Sequence, residues 1–371
     1  EDDAFKKDIV NLRTGIAWYR KHFNIPATAQ GQKVFVEFEG IRQAGDFYVN
    51  GKFIGNHENG VMAFGFDITE AVNFGAAENV IAVRIDNSWD YREKATNTKY
   101  QWEDKNFNAN YGGISKNVYL HVTPKIYQTL PIYSNLKTTG VYVYADNYNI
   151  KARSATIHTE SEIKNESNAT QDVTYQVSIT EKDGRLVKIF TGDTITIAPG
   201  QIQMVKAAAP VTGLNFWSWG YGYLYNVQTS LLINNTAVDV VSTITGFRKT
   251  EFKNGMIYLN DRVIMVHGYA QRTSNEWPAI GLSVPPWLSD YSNGLMVESG
   301  GNLVRWMHIT PWKQDIESCD RVGLMQAMQA GDAEKDGRLH RRARRSGNPV
   351  RPAGGFQGQA AHHRPVHGGG G

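Results

Sequence analysis

Cysteine is almost missing from this sequence: Cys319 stands alone in 371 residues. One thiol excludes an intrachain disulfide framework and any zinc site built on cysteines. Its setting in an apolar-periodic stretch predicts a buried thiol. Long hydrophobic runs are missing too. No stretch approaches the roughly 18 apolar residues that a membrane-crossing helix needs, so no membrane partner is expected. The opening EDDAFKKDIV is charged, lacks the layout of a signal peptide and reads as the interior of a longer protein. There is no Gly-rich phosphate loop or nucleotide fingerprint. His/Asp clusters at ligand spacing are also absent, so no metal site is predicted.

Negative charge is missing from one region. From Gly337 to the end there are seven Arg and no Asp or Glu. They account for the formal charge of +3; without them 32 basic residues face 36 acidic ones, a net of −4. The body is therefore mildly acidic, and nucleic acid is not an expected partner. The tail has no apolar period and cannot bury enough surface to order itself. It is either a genuine basic tail or the product of a shifted reading frame, and the abrupt break after Asp336 favours the second.

What is present is aromatic and β-rich. Aromatics make up 11% of the chain, with 18 Tyr and 9 Trp. That suits both β-sandwiches and surfaces that stack on sugar rings. KVFVEFEG (33–40) alternates with period two, the sign of a half-buried strand. DFYVNGKFIG (46–55) reads as a hairpin turning at Asn50-Gly51. With strands at 79–88 and 116–123, residues 1–124 predict an antiparallel sandwich. Residues 125–247 supply about seven further short strands at the rhythm of an immunoglobulin-like sandwich.

The pattern changes at residue 248. MIYLNDRVIMVHGYA (256–270) reads as a hairpin leading into an apolar strand that ends at His267-Gly268. Over 285–301, Trp287, Leu288, Tyr291, Leu295 and Met296 recur at helical spacing, and Gly300-Gly301 closes the helix. NLVRWMHI follows as a strand, QDIESCDRVG as a helix stopped by Gly323, and LMQAM as a strand. Alternating strands and helices open a parallel α/β fold over 248–336.

Two sandwiches followed by a β/α barrel is an order that resembles family-two glycoside hydrolases, the β-galactosidase group. GIAWYRKHF (15–23), FYVNGKFIGNHENGVMAFGFDIT (47–69) and YGGISKNVYLHVT (111–123) are similar to segments of that family's sugar-binding domain. GFRKTEFKNGMIYLNDRVIMVHGYAQR (246–272) resembles the entry to its barrel, and NLVRWMHITP (302–311) its second barrel strand. The resemblance covers about residues 10–336. It implies a mainly β multidomain chain: a jelly-roll-like sugar-binding sandwich, an immunoglobulin-like sandwich, then the start of an incomplete (β/α)8 TIM barrel.

Barrel sites sit at the carboxyl ends of the strands. There the resemblance implies that His308 hydrogen-bonds sugar hydroxyls and that Arg305 orients a nucleophilic carboxylate. Read on spacing alone, the same residues are an ordinary ion pair and a strand-end hydrogen bond. Gln271, Arg272 and His267 are expected at the mouth of the first barrel strand, with a buried histidine the alternative for His267. In the stretch 86–113, Trp89, Tyr91, Tyr100 and Trp102 are candidate stacking faces, and Glu103 and Asp104 candidate hydroxyl or cation ligands. The alternative is that these aromatics cap the sandwich core.

The catalytic residues are expected elsewhere. A retaining glycosidase needs an acid/base carboxyl and a nucleophilic carboxyl, which the family carries as glutamates on later strands. The Asn275-Glu276 dipeptide imitates the acid/base motif but follows the first strand, so no catalytic residue is assigned. The expected activity is retaining hydrolysis of terminal β-glycosides, β-galactosides favoured, with this chain inactive alone. A non-catalytic carbohydrate-binding sandwich protein is the alternative. No cofactor is expected in this chain, although the resemblance allows Mg or Na in the complete enzyme. The expected partner is carbohydrate, with an oligomer allowed. The substrate class favours a periplasmic or extracellular location, with a cytoplasmic one allowed.

Overall fold

A computed structural model describes residues 14–58, 60, 62–97, 111–272, 283–307, 311–328 and 361–363. The architecture is mainly β. The first seven strands are β1 (Ile16–Phe23), β2 (Lys33–Phe38), β3 (Ala44–Val49), β4 (Lys52–Glu58), β5 (Phe64–Asp67), β6 (Asn79–Asp86) and β7 (Val118–Thr123). They form two antiparallel sheets, β1-β6-β3-β4 and β5-β2-β7. Alternation along β2 and β3 turns Val34, Val36, Phe38, Phe47 and Val49 into a shared core with Phe64, Val83 and Ile85. The β3–β4 hairpin turns at Asn50-Gly51, with φ of 51° and 80°. Both are left-handed, the backbone for which an Asn-Gly pair is suited.

The next strands are β8 (Ile126–Gln128), β9 (Val141–Asn149), β10 (Ser154–Asn165), β11 (Gln171–Thr180), β12 (Leu186–Ile197), β13 (Ile202–Thr212), β14 (Tyr225–Ile233) and β15 (Thr236–Thr245). The short helix α1 (Tyr133–Leu136) lies between β8 and β9. β10 is flanked by β13, β9 and β8, while β12-β11-β14-β15 form the facing sheet. Their inner faces meet in a core of Ile157, Ile163, Val173, Tyr175, Val177, Val205, Val227 and Val241.

A small antiparallel sheet, β16 (Thr250–Lys253), β17 (Met256–Leu259) and β18 (Arg262–Ile264), leads into the last unit. There β19 (Gly268–Arg272), β20 (Leu303–Met307) and β21 (Met325–Ala327) pair in parallel. Helices α2 (Pro286–Glu298) and α3 (Lys313–Val322) connect them. Of the basic tail only β22 (Ala361–His363) is described; it pairs with the edge of β15.

Two expectations change here. The strand expected to end at His267-Gly268 instead starts at Gly268, because 256–264 is used up in the preceding hairpin around Asn260-Asp261. Helix α2 forms as predicted, but its buried side is Leu288, Ser289 and Asn293. The expected apolar face is largely exposed at Trp287, Tyr291 and Leu295. α2 packs against α3 through hydrogen bonds, Ser289 Oγ to Asp315 Oδ1 at 2.8 Å and Asn293 Nδ2 to Ser318 Oγ at 2.9 Å.

Candidate functional site: the concave face of the parallel strands

The parallel strands have two faces. Val304 and Trp306 on β20 are buried against the helix layer, where they meet Cys319, Leu324, Tyr269 and Val297. Trp306 donates its indole N–H to Gln326 at 2.9 Å on the same side. Residues two apart share a face, so Leu303 and Arg305 point to the other side, the interior of a barrel. Arg305 is exposed there, in register with Ala270 on one neighbour and Ala327 on the other. Two alanines leave the guanidinium a clear floor within two residues of the strand's carboxyl end. Arg keeps its charge at any working pH and offers a planar fork of donors, which matches a carboxylate.

The other predicted residues divide. Gln271 is in register with Trp306 and accepts a 3.0 Å hydrogen bond from the Tyr269 hydroxyl. That places it on the helix side, away from Arg305. His267 is exposed and precedes β19, so it lies at the amino end of the strand and not at its carboxyl mouth. Its N–H donates to Asn302 Oδ1 at 2.9 Å, and the Asn302 N–H donates to its carbonyl at 2.9 Å. The buried Asn302 thus splices β19 to β20. The Arg272 backbone ends β19 in register with Met307. His308, Trp102, Asp104, Tyr100, Glu103, Asn275 and Glu276 lie outside the described residues. Tyr91 donates to Glu58 Oε1 at 2.5 Å, and burial, aided by Glu58, pushes its phenol pKa up. Its hydroxyl therefore supports the sandwich, while Trp89 beside it is half-buried.

The residues that hold this face in place went unread in the sequence. Helix α3 is gripped at both ends. At its start Trp312 is buried beneath the first sandwich. A Cβ on Gly40 would fall 2.2 Å from the Trp312 ring, so only glycine fits there. Lys116 Nζ stands 4.8 Å above the same ring, and Lys313 Nζ reaches Glu39 Oε1 at 3.1 Å. At its end Trp217 donates to the Asp320 carbonyl at 2.8 Å. The Gly220 N–H donates to the Gly323 carbonyl at 2.9 Å. Arg248 lies 4.9 Å over the Trp217 ring.

Burial perturbs the charges along this helix. It raises Asp315 to about 6, with Ser289 and Lys116 pulling the other way. It raises Asp320 to about 6 against the pull of Arg248. It lowers Lys116 to about 8 despite Asp315 and Glu39. The Cys319 thiol, fully buried as its sequence setting predicts, is pushed up by the same desolvation. A cavity of about 180 Å³ between Leu303, Met325 and Ala327 and the residues Phe252, Ile257 and Val266 is mainly apolar, and Arg305 does not line it. Among the described residues no group of three or more His, Cys, Asp or Glu is placed to hold a metal ion. No described helix is long and apolar enough to cross a membrane.

Comparison with known proteins agrees with this layout. Residues 4–124 match the family profile described as "Glycosyl hydrolases family 2, sugar binding domain", and residues 140–248 match "Glycosyl hydrolases family 2". The chain belongs to glycosyl hydrolase family 2. A relative named beta-glucuronidase from Formosa agariphila is 35% identical over 88% of this chain and 33% of its own length. One named beta-galactosidase from Thermoanaerobacter pseudethanolicus is 28% identical over 84% of this chain and 38% of its own length. A solved family-two beta-glucuronidase structure superposes with a TM-score of 0.80 at 34% identity, over 88% of this chain and 34% of that one. A family-two member from Bacteroides cellulosilyticus gives 0.72 at 27%, over 84% and 39%. The chain thus spans about a third of the length of the relatives it matches.

Proposed function

We propose that this chain forms the two sandwiches and the first β/α units of a retaining glycoside hydrolase acting on terminal β-glycosides. The observation that carries the reading is Arg305, exposed on the barrel-interior face near a strand's carboxyl end and behind two family-two sandwiches. In such an enzyme one carboxyl protonates the leaving oxygen and a second, about 5–5.5 Å away, attacks the anomeric carbon. Arg305 would hold that nucleophile ionised through opposite charge, and His308 would bind the sugar hydroxyls. The three described parallel strands, GYAQR, LVRWM and MQA, carry no carboxylate. In this reading the acids are carried by barrel strands other than these three, and residues 1–371 should bind sugar without turnover. Mg or Na is given no role in this reading.

The sequence favours a β-galactoside, and relatives named beta-galactosidase support it. A β-glucuronoside is the second reading, favoured by the 35% identical relative named beta-glucuronidase. Saturation-transfer NMR with methyl β-galactoside and methyl β-glucuronide tests both. Transfer to one sugar should appear and disappear in Arg305→Ala. Equal transfer in the variant, or none from the parent protein to either sugar, would overturn the assignment.

A further inference from the structure

Helix α3 meets the first sandwich through Glu39, Lys116 and Tyr119, all on or beside the β5-β2-β7 sheet. The other sheet, β1-β6-β3-β4, supplies none of these three contacts, and its outer face carries an aromatic band. Trp18 on β1, Tyr48 on β3 and Phe53 on β4 are in ring contact. Their centroids lie 5.9 Å apart for Trp18–Tyr48 and 5.4 Å for Tyr48–Phe53. Strand β6 runs between β1 and β3, and at the crossing it places Ala82, in register with both Arg20 and Tyr48. A methyl group there lets the indole lean across to the phenol, so the rings span the sheet.

Cross-strand aromatic pairs stabilise sheets by at most ~1 kcal/mol each, and a pair serving only that end can bury its faces. Here Trp18 and Phe53 are each 54% exposed. Exposed apolar surface rimmed by polar groups marks an interaction site. The rim begins in the row that Trp18 shares with Arg84 and Asp46. Arg84 Nη1 lies 3.5 Å from Asp46 Oδ2, and Lys94 Nζ lies 2.7 Å from Asp46 Oδ1. Arg20, two residues beyond Trp18 on the same face, is exposed. Flat rings beside fixed donors and acceptors complement a pyranose, which offers C–H groups on its face and hydroxyls on its edge.

We propose that this band binds a polysaccharide chain, with pyranose faces stacked on Trp18 and Tyr48 and hydroxyl edges met by Asp46, Arg84 and Arg20. The rings are inclined by 36° for Trp18–Tyr48 and 61° for Tyr48–Phe53. That curvature suits a single soluble chain and not a flat crystalline surface. The band requires neither Arg305 nor a catalytic acid, so it stands or falls apart from the function proposed above.

Affinity electrophoresis of the full chain tests this, in native gels containing a soluble β-galactan, a soluble β-glucan or a polygalacturonate. At least one polymer should retard the protein, and the three arms separate neutral from anionic chains. Trp18→Ala and Phe53→Ala should each weaken that retardation at least tenfold, and Trp18→Phe should retain most of it. If Trp18→Ala fails to fold, Phe53→Ala beside the hairpin turn decides. No retardation by any polymer, or equal retardation in the aromatic variants, would overturn the proposal. So would a dimer seen by light scattering that Trp18→Ala dissociates, which would make the band an interface between copies.

Discussion

Gly40 and Trp312 are far apart in sequence and occupy one space. An alanine methyl at 40 would lie 2.2 Å from the indole, and overpacking of this kind costs about 1–3 kcal/mol. Gly40→Ala should lower the thermal midpoint, and Trp312→Ala should lower it by removing a buried ring. The double variant should lose less than the sum of the two, because the shorter side chain makes room for the methyl. Strict additivity in thermal or denaturant unfolding would show that the two do not compete. Asp315 gives a pH signature. Its carboxyl titrates near 6 in the folded chain, against a usual value of 3.8. Between those values the folded state holds a proton that the unfolded state has released, so stability falls as pH rises. Asp315→Asn removes this slope, so the parent protein should lose about 2 kcal/mol relative to the variant between pH 4 and pH 6. Parallel pH profiles would contradict that. For Lys116 the sign reverses: folded near 8 against a usual 10.5, it makes stability rise with pH across that interval.

At the scale of elements, local chemistry was legible and long-range packing was not. Asn50-Gly51 announced its hairpin because the dipeptide itself adopts the left-handed turn. Gly323 announced the end of α3 in the same way, with φ of 77°. Arg305 was legible as a strand residue near a carboxyl end, but the strand boundary at 267–268 shifted under competition from the β17–β18 hairpin. That shift sent His267 to the wrong end, and the pairing with Trp306 sent Gln271 to the wrong face. The Gly40–Trp312 and Trp217–Asp320 contacts join segments more than 100 residues apart, and no local pattern marks them. Helix α2 was read by periodicity alone. Its apolar stripe, Trp287, Tyr291 and Leu295, is 67%, 57% and 45% exposed, while its polar Ser289 and Asn293 are buried against α3. Such a stripe should bind an apolar dye. Replacing Trp287 and Leu295 with Glu and Lys should reduce dye fluorescence and aggregation while shifting the melting temperature little. A large fall in melting temperature would mean that the stripe is packed in solution.

Across the whole molecule, α3 is the joint between three units. Its amino end is held by the first sandwich through Trp312 and Lys313, its carboxyl end by the second through Trp217 and Gly220. Among the described residues β19 and β21 end the parallel sheet with unpaired edges, which taken alone would make this last unit the least stable part of the chain. The grip on α3 divides that expectation. In hydrogen exchange α3 should be protected nearly as well as the sandwich strands. The β16–β18 sheet, with Phe252 68% and Val263 48% exposed, should exchange first. Uniform exchange from 250 to 328 would contradict this. The most direct test of the central claim, a sugar-binding face whose acids lie elsewhere, is the hydrolysis of nitrophenyl β-galactoside and β-glucuronide by pure 1–371 protein at saturating substrate. The rate should be no greater than that of spontaneous hydrolysis. Turnover above that rate, abolished by Glu276→Gln, would place a catalytic acid in this chain and contradict that claim.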